Sequence, residues 1–184
     1  VMELEPGHHD AEIQLTHVLL RRQRFHKAHA RAKSLYQRFD QPPQQVQALY
    51  ASVCFGVGEN DEAIGVYQKM IRGMPNDPAL RVSLAHIYNA TGESHLAIDL
   101  FKQAYELNPS FGDAFWSLAN TKSYRFTDDE VTAMTERLSL DATPELDRIQ
   151  MHFALGKAQE DNHNFAAAFD NYQQGNALKL ATSN

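Results

Sequence analysis

The chain has only one cysteine, Cys54, among 184 residues. A lone thiol leaves no disulfide framework and no cysteine-based zinc site, and it fits a reduced, cytoplasmic compartment. Long apolar runs are missing as well. Nothing approaches the ~20 residues that span a bilayer, and no signal peptide opens the sequence, so no membrane partner is expected. Phosphate-loop chemistry is also absent. Gly56-x-Gly58 has no strand before it and no Lys-Ser/Thr after it, and reads as a helix end. The carboxylates and histidines are scattered in a way that predicts no catalytic constellation, no metal and no cofactor. What is plentiful is apolar material, 43% of the residues, enough to bury a core.

That material is arranged with helical periodicity, most clearly between Pro78 and Phe111. Asp77 is a good N-cap and Pro78 occupies the first helical position, where its missing N–H costs nothing. Leu84, Ala85, Ile87 and Tyr88 fall on one face. Gly92 stops this helix, because glycine enters the left-handed C′ conformation without a Cβ penalty. A second helix carries Leu96, Ala97, Leu100, Phe101, Ala104 and Leu107 at i, i+3, i+4 spacing, and Asn108-Pro109 ends it. Such a hairpin cannot bury both apolar faces alone, so copies of it are expected nearby.

They recur at 34 residues. Pro109 repeats Pro75, Gly92 repeats Gly58, Ala97 repeats Ala63, and Phe101 repeats Tyr67. An earlier copy carries Phe25, Ala28, Ala32 and Leu35, offset by one residue near Pro42-Pro43. A later copy starts near Ile149 with Leu155, Gly156, Phe165, Ala168 and Tyr172. Small residues hold position 8 of the repeat (Thr16, Ala51, Ala85, Ala119, Gly156) and position 20 (Ala28, Ala63, Ala97, Ala168), with Val131 the exception. Paired helices approach to about 8–10 Å only where such small side chains face each other.

Aromatics near positions 11 and 24 and proline at 32 complete a pattern that resembles the tetratricopeptide repeat. The resemblance implies an all-α fold, a right-handed superhelical solenoid of helical hairpins. The repeats are expected at 9–43, 44–77, 78–111, 112–148 with a degenerate second helix, and 149–182, forming one solenoid over 9–182. Val1 to Pro6 parallels Tyr105 to Pro109, so residues 1–8 read as the tail of a preceding repeat and the chain as part of something longer. Exposed array ends make end-to-end dimers an expectation for such a piece.

Family architecture further implies that the first helix of each hairpin lines a concave groove, with positions 2, 5, 9 and 12 facing inward. In this chain those positions are Asp10, Ile13, His17, Leu20; Gln45, Ala48, Ser52, Phe55; and Ala79, Val82, His86, Asn89. They continue with Asp113, Trp116, Asn120, Ser123; and Gln150, Phe153, Lys157, Glu160. The expected partner-binding set is His17, Ser52, Phe55, His86, Asn89, Trp116, Asn120, Phe153 and Lys157, and the expected partner a protein or peptide. Asn89, Asn120 and His86 offer donors and acceptors for a peptide backbone, and Trp116 and Phe55 offer anchors. Trp116 is equally suited to packing between repeats, and the asparagines to plain hydration. Some members of the family grip a C-terminal carboxylate with cations at positions that here hold Ser52, Ser83, Asp113 and Ser117. That mode is not expected, and Lys157 stands as a lone cation in the last repeat.

Two local features bear on other functions. Arg21, Arg22, Arg24, Lys27, Arg31, Lys33 and Arg38 form a basic stretch with no acid, while the rest of the chain has ten basic against twenty-three acidic residues. A docking stripe or a solvated helix face both fit. The net charge of −6 and the lack of basic–aromatic interleaving speak against nucleic acid. In His8-His9-Asp10, adjacent side chains on a helix point apart and no second ligand pair follows, so no metal is expected there.

The C-terminal third, about Thr121 to Lys179, carries a narrower resemblance. Lys122-Ser-Tyr-Arg-Phe-Thr-Asp-Asp-Glu130, Met151-His-Phe-Ala-Leu-Gly-Lys-Ala158 and Phe165-Ala-Ala-Ala-Phe-Asp-Asn-Tyr-Gln-Gln-Gly-Asn-Ala-Leu-Lys179 resemble bacterial proteins that fuse these repeats to a sulfotransferase domain. The resemblance implies a repeat module followed by the catalytic domain, whose Gly-Ser/Thr phosphate loop is not in this sequence. Residue by residue, Thr127 and Glu130 form a capping box, Pro144 opens a helix running to about Asp161, and Phe165 to Leu180 forms the last helix. The expected function is a non-catalytic interaction scaffold, with the substrate-presenting arm of a sulfotransferase as the alternative.

Overall fold

The computed structural model describes residues 9–140 and 142–182, and the expected repeat tail at Val1 to Pro6 and His8 lie outside them. The fold is all-helical, with ten helices and no strand among the described residues. These are α1 (His9–Arg21), α2 (Phe25–Gln37), α3 (Gln44–Gly56), α4 (Asn60–Gly73), α5 (Pro78–Ala90), α6 (Ser94–Leu107), α7 (Gly112–Ala119), α8 (Asp128–Leu138), α9 (Glu145–Asp161) and α10 (Phe165–Ala181). The chain divides into two compact units, 1–75 and 76–184. No described helix is long and apolar enough to cross a membrane.

In the first unit, α1 packs on α2, α2 on α3 and α3 on α4, with α1 also against α3. Small residues make this approach possible. Thr16, Ala28, Ala51 and Ala63 are wholly buried. The Thr16 hydroxyl is satisfied inside its own helix, donating to the Glu12 carbonyl at 2.7 Å, so a polar residue occupies a core position without an orphaned group. Gly58 takes φ +84° between α3 and α4, and Gly92 takes φ +90° between α5 and α6. Both open the left-handed turn that a Cβ would strain.

The second unit starts with the hairpin α5–α6. Asp77 caps α5, accepting the Ala79 N–H at 2.9 Å. Ala85, Ala97, Phe101 and Ala104 have no exposed surface, and with Val82, Ala114 and Leu118 they form one cluster. Leu96 and Leu107 belong to the same apolar stripe in the sequence but lie at its edges, exposed. Phe25 and Phe165 likewise open their helices toward solvent rather than into the core. A stripe read from periodicity is wider than the seam that a neighbouring helix covers.

Beyond α6 the repeat changes character. α7 has only eight residues, and α8 packs on α9. Phe115 of α7, Met134 of α8, and Met151, Ala154 and Leu155 of α9 share a second cluster, with Tyr105 and Phe126 against it. The capping box at Thr127 and Glu130 is present. Gly112 presses its backbone on α9, donating its N–H to Asp147 Oδ1 at 2.8 Å. A Cβ at Gly112 would stand 2.4 Å from the Asp147 carbonyl oxygen. Gly156 is a similar close approach: its Cβ would stand 2.4 Å from the Tyr172 ring.

Candidate partner-binding grooves

In the first unit, Asp10, Ile13, Gln14 and His17 of α1 face Gln45, Ala48, Leu49 and Ser52 of α3, with Tyr67 of α4. They enclose a concave space of about 740 Å³. Helical spacing sets the rim, since residues three and four apart share a face. Thr16 and Ala51, turned inward, hold the helices close. Leu49 and Tyr67, almost fully buried, make an apolar floor. His17 and Ser52 are exposed on the rim, while Phe55 is half-buried and does not line the space. Six of the eight positions expected to face inward are here, with Leu20 and Phe55 the exceptions. Gln14 and the floor residues were not legible as groove members, because they lie outside repeat positions 2, 5, 9 and 12.

The second unit arranges its expected residues differently. His86 puts its ring edge-on to Phe101 at 5.4 Å and its Nε2 3.4 Å from the Ser117 hydroxyl. Lost hydration against that ring lowers its pKa, and Asp113 partly opposes the shift. A neutral imidazole there can both donate and accept. Trp116, 37% exposed, stands 5.4 Å from Phe153, which in turn lies 6.4 Å from Tyr172. The tryptophan therefore packs across helices and keeps an open face.

Residues 79–115 match the tetratricopeptide repeat family. No curated protein matches the chain. MamA from Desulfovibrio magneticus RS-1 is similar in fold, with a TM-score of 0.60 at 17% identity, over 98% of this chain and all of that one. BtubC (BKLC) from P. vanneervenii scores 0.67 at 15% identity, over 93% of this chain and 80% of that one. TPR-like repeats from Podosopora anserina score 0.66 at 17% identity, over 98% of this chain and 99% of that one. The likeness at this level is one of fold.

Several of the groups expected to line a groove are engaged by the protein itself. The Asn120 amide donates to the Trp116 carbonyl at 2.7 Å, and the Asn89 side-chain oxygen lies 3.4 Å from the Ser94 hydroxyl. Both asparagines are exposed. Gln150 reaches Asp113 Oδ1 at 3.5 Å, joining the same repeat position of successive first helices. Lys157 is engaged as well. It pairs with Asp161 one turn along α9, and Arg125 Nη1 approaches the same carboxylate at 3.5 Å. Ser123 leaves the expected groove because α7 ends at Ala119. The basic stretch is also partly tied down, since Arg38 pairs with Glu12.

A polar hub not foreseen from the sequence lies beside Phe115. Glu130 accepts the Tyr105 hydroxyl at 2.8 Å, the Tyr124 hydroxyl, and the Thr127 N–H at 2.9 Å, with Lys102 3.9 Å away. Burial pushes the carboxyl pKa up, but the hydrogen bonds and Lys102 outweigh it, and the net shift is downward. The capping box was the sole signal for this residue. Its two tyrosine partners come from α6 and the 120–127 segment.

Proposed function

We propose that the chain is a non-catalytic interaction module whose grooves hold an extended peptide segment of a protein partner. The observation that carries this reading is the concave space of the first unit, with its apolar floor and mixed rim of Asp10, His17, Gln45 and Ser52. Such a lining suits a peptide laid across it, with side chains on Leu49 and Tyr67 and backbone groups met by the amides and hydroxyls. Among the described residues no lysine or arginine lines it, so a terminal carboxylate is a poor occupant. In the second unit Trp116 and Phe153 serve as anchors, with His86, Asn89 and Asn120 as polar contacts and Lys157 held toward Asp161. The 9–182 region is read as one repeat array with the boundaries given above. Peptides selected from a random display library on the immobilised protein test the proposal. The best one, titrated by fluorescence anisotropy, is expected to lose at least about tenfold affinity to Ser52→Arg, which fills the space, with unchanged helicity. Failure to recover any peptide sensitive to a groove substitution overturns it.

The resemblance over 121–179 supports a second, finer reading, the substrate-presenting arm of a sulfotransferase. Its test is the coding sequence past residue 184. A strand followed by a Gly-Ser/Thr phosphate loop supports it, and a stop codon removes it.

A further inference from the structure

Cys54, the single cysteine, is buried and has company in the fold. His29 Nε2 of α2 lies 3.8 Å from Cys54 Sγ of α3. The same nitrogen lies 3.1 Å from Glu59 Oε2, at the N-terminal end of α4. All three potential ligand atoms fall within 4.8 Å of one another. We propose that His29, Cys54 and Glu59 form a divalent-cation site of the zinc class.

The geometry suits the chemistry. Zinc bonds of ~2.0–2.3 Å at tetrahedral angles place ligand atoms roughly 3.3–3.8 Å apart, so small side-chain rotations close this trio on one ion. One imidazole nitrogen, one sulfur and one carboxylate oxygen make a borderline-soft donor set, which suits zinc and not the all-oxygen preference of magnesium or calcium. On binding, the Cys54 S–H bond gives up its proton to solvent. The resulting thiolate and the Glu59 carboxylate then balance the two charges of the ion, and His29 supplies a neutral lone pair. The Glu59 side chain is 47% exposed, which leaves a solvent-facing approach and room for water as fourth ligand.

The backbone is arranged to bring the groups together. Gly58 at φ +84° turns the chain back, and the Glu59 N–H donates to the Cys54 carbonyl at 2.9 Å. Glu59 occupies the N-cap position of α4 yet makes no capping hydrogen bond with its side chain. The carboxylate reaches to His29 instead. The His29 ring lies parallel to Tyr50 at 6.2 Å, and Tyr50 stacks on Tyr36 at 4.5 Å, which holds the imidazole plane. A plain histidine–carboxylate ion pair accounts for two members of this trio. It does not account for a buried sulfur turned toward the same ring nitrogen. No sequence motif announces the site, since its members are 25 and 5 residues apart on three elements.

Cobalt(II), the spectroscopic stand-in for zinc, tests the proposal on the full chain. The expected result is a saturable one-to-one thiolate-to-cobalt charge-transfer band that Zn²⁺ displaces. The band is expected to vanish in Cys54→Ser. Affinity is expected to fall about tenfold or more in His29→Gln and in Glu59→Gln. Glu59 is exposed, so that variant keeps the test valid should the buried serine disturb folding, which circular dichroism reports. Three results overturn the proposal: no charge-transfer band at saturating cobalt, cobalt bound without a thiolate signature (as at His8 and His9), or a band whose affinity is unchanged in both His29→Gln and Glu59→Gln.

Discussion

The hairpin α5–α6 and the region α7–α8 lie in one unit of the molecule and reach stability by opposite means. The first is built from alanines that let helices touch and from Phe101, which fills the space they leave. The second lacks the small residue at position 20, where Val131 stands half-buried. There the chain leaves the helix after Ala119 and inserts Tyr124 and Phe126 against the neighbouring clusters. A buried carboxylate, Glu130, gathers the surrounding hydroxyls. A repeat that loses its close helix contact can thus be held by a polar hub, provided every polar member finds a partner.

Substitutions sharpen the contrast. Phe101→Ala should cost about 3–5 kcal/mol in chemical denaturation, because a wholly buried ring leaves a cavity that the alanines around it cannot fill. Glu130→Ala should cost about 3 kcal/mol, since two tyrosine hydroxyls and the Thr127 N–H lose a charged acceptor. Equal losses at Ala85→Ser, an alanine seam, and at Glu130→Ala would erase the distinction between the two designs. Gly112→Ala should cost about 1–3 kcal/mol, because its Cβ meets backbone rather than a movable side chain.

The smallest effects are in pH dependence, and they separate two windows. Burial lowers the pKa of His152 below 6.5, and Arg148 adds to this while the Asn171 hydrogen bond at 3.2 Å opposes it. Its neutral form is therefore favoured in the fold. That contribution is intact above the unfolded value of 6.5 and is lost as pH falls below it. Glu130 is held below 4.5, so its contribution is intact above that value and is lost as pH falls through its folded pKa. Urea midpoints measured across pH should show His152→Gln flattening the upper slope and Glu130→Gln flattening the lower one. A single slope unaffected by either variant would contradict these assignments.

Much of the fold was legible because its signals are local. Gly58 and Gly92 need only their own φ angles to end a helix, and the alanines at positions 8 and 20 recur at one interval. The groove of the first unit follows from the same register, which is why Ile13, His17, Gln45, Ala48 and Ser52 meet. Where a repeat position depends on helix length, the register misleads. The spacing puts Ser123 on a helix that stops four residues earlier, at Ala119. Leu96 and Phe165 show the remaining loss: an apolar residue is buried only if some neighbour covers it.

The turn glycines, the small-residue seams and the helix boundaries outside α7 were determined by the order of amino acids alone, since each depends on backbone preferences or on neighbours three and four residues away. Tertiary structure decided which distant polar groups meet: His29 with Cys54 and Glu59, Tyr105 and Tyr124 on Glu130, Gly112 on Asp147. Their encounters depend on how helices separated by tens of residues pack. That geometry is set by the summed shapes of many side chains rather than by any short motif.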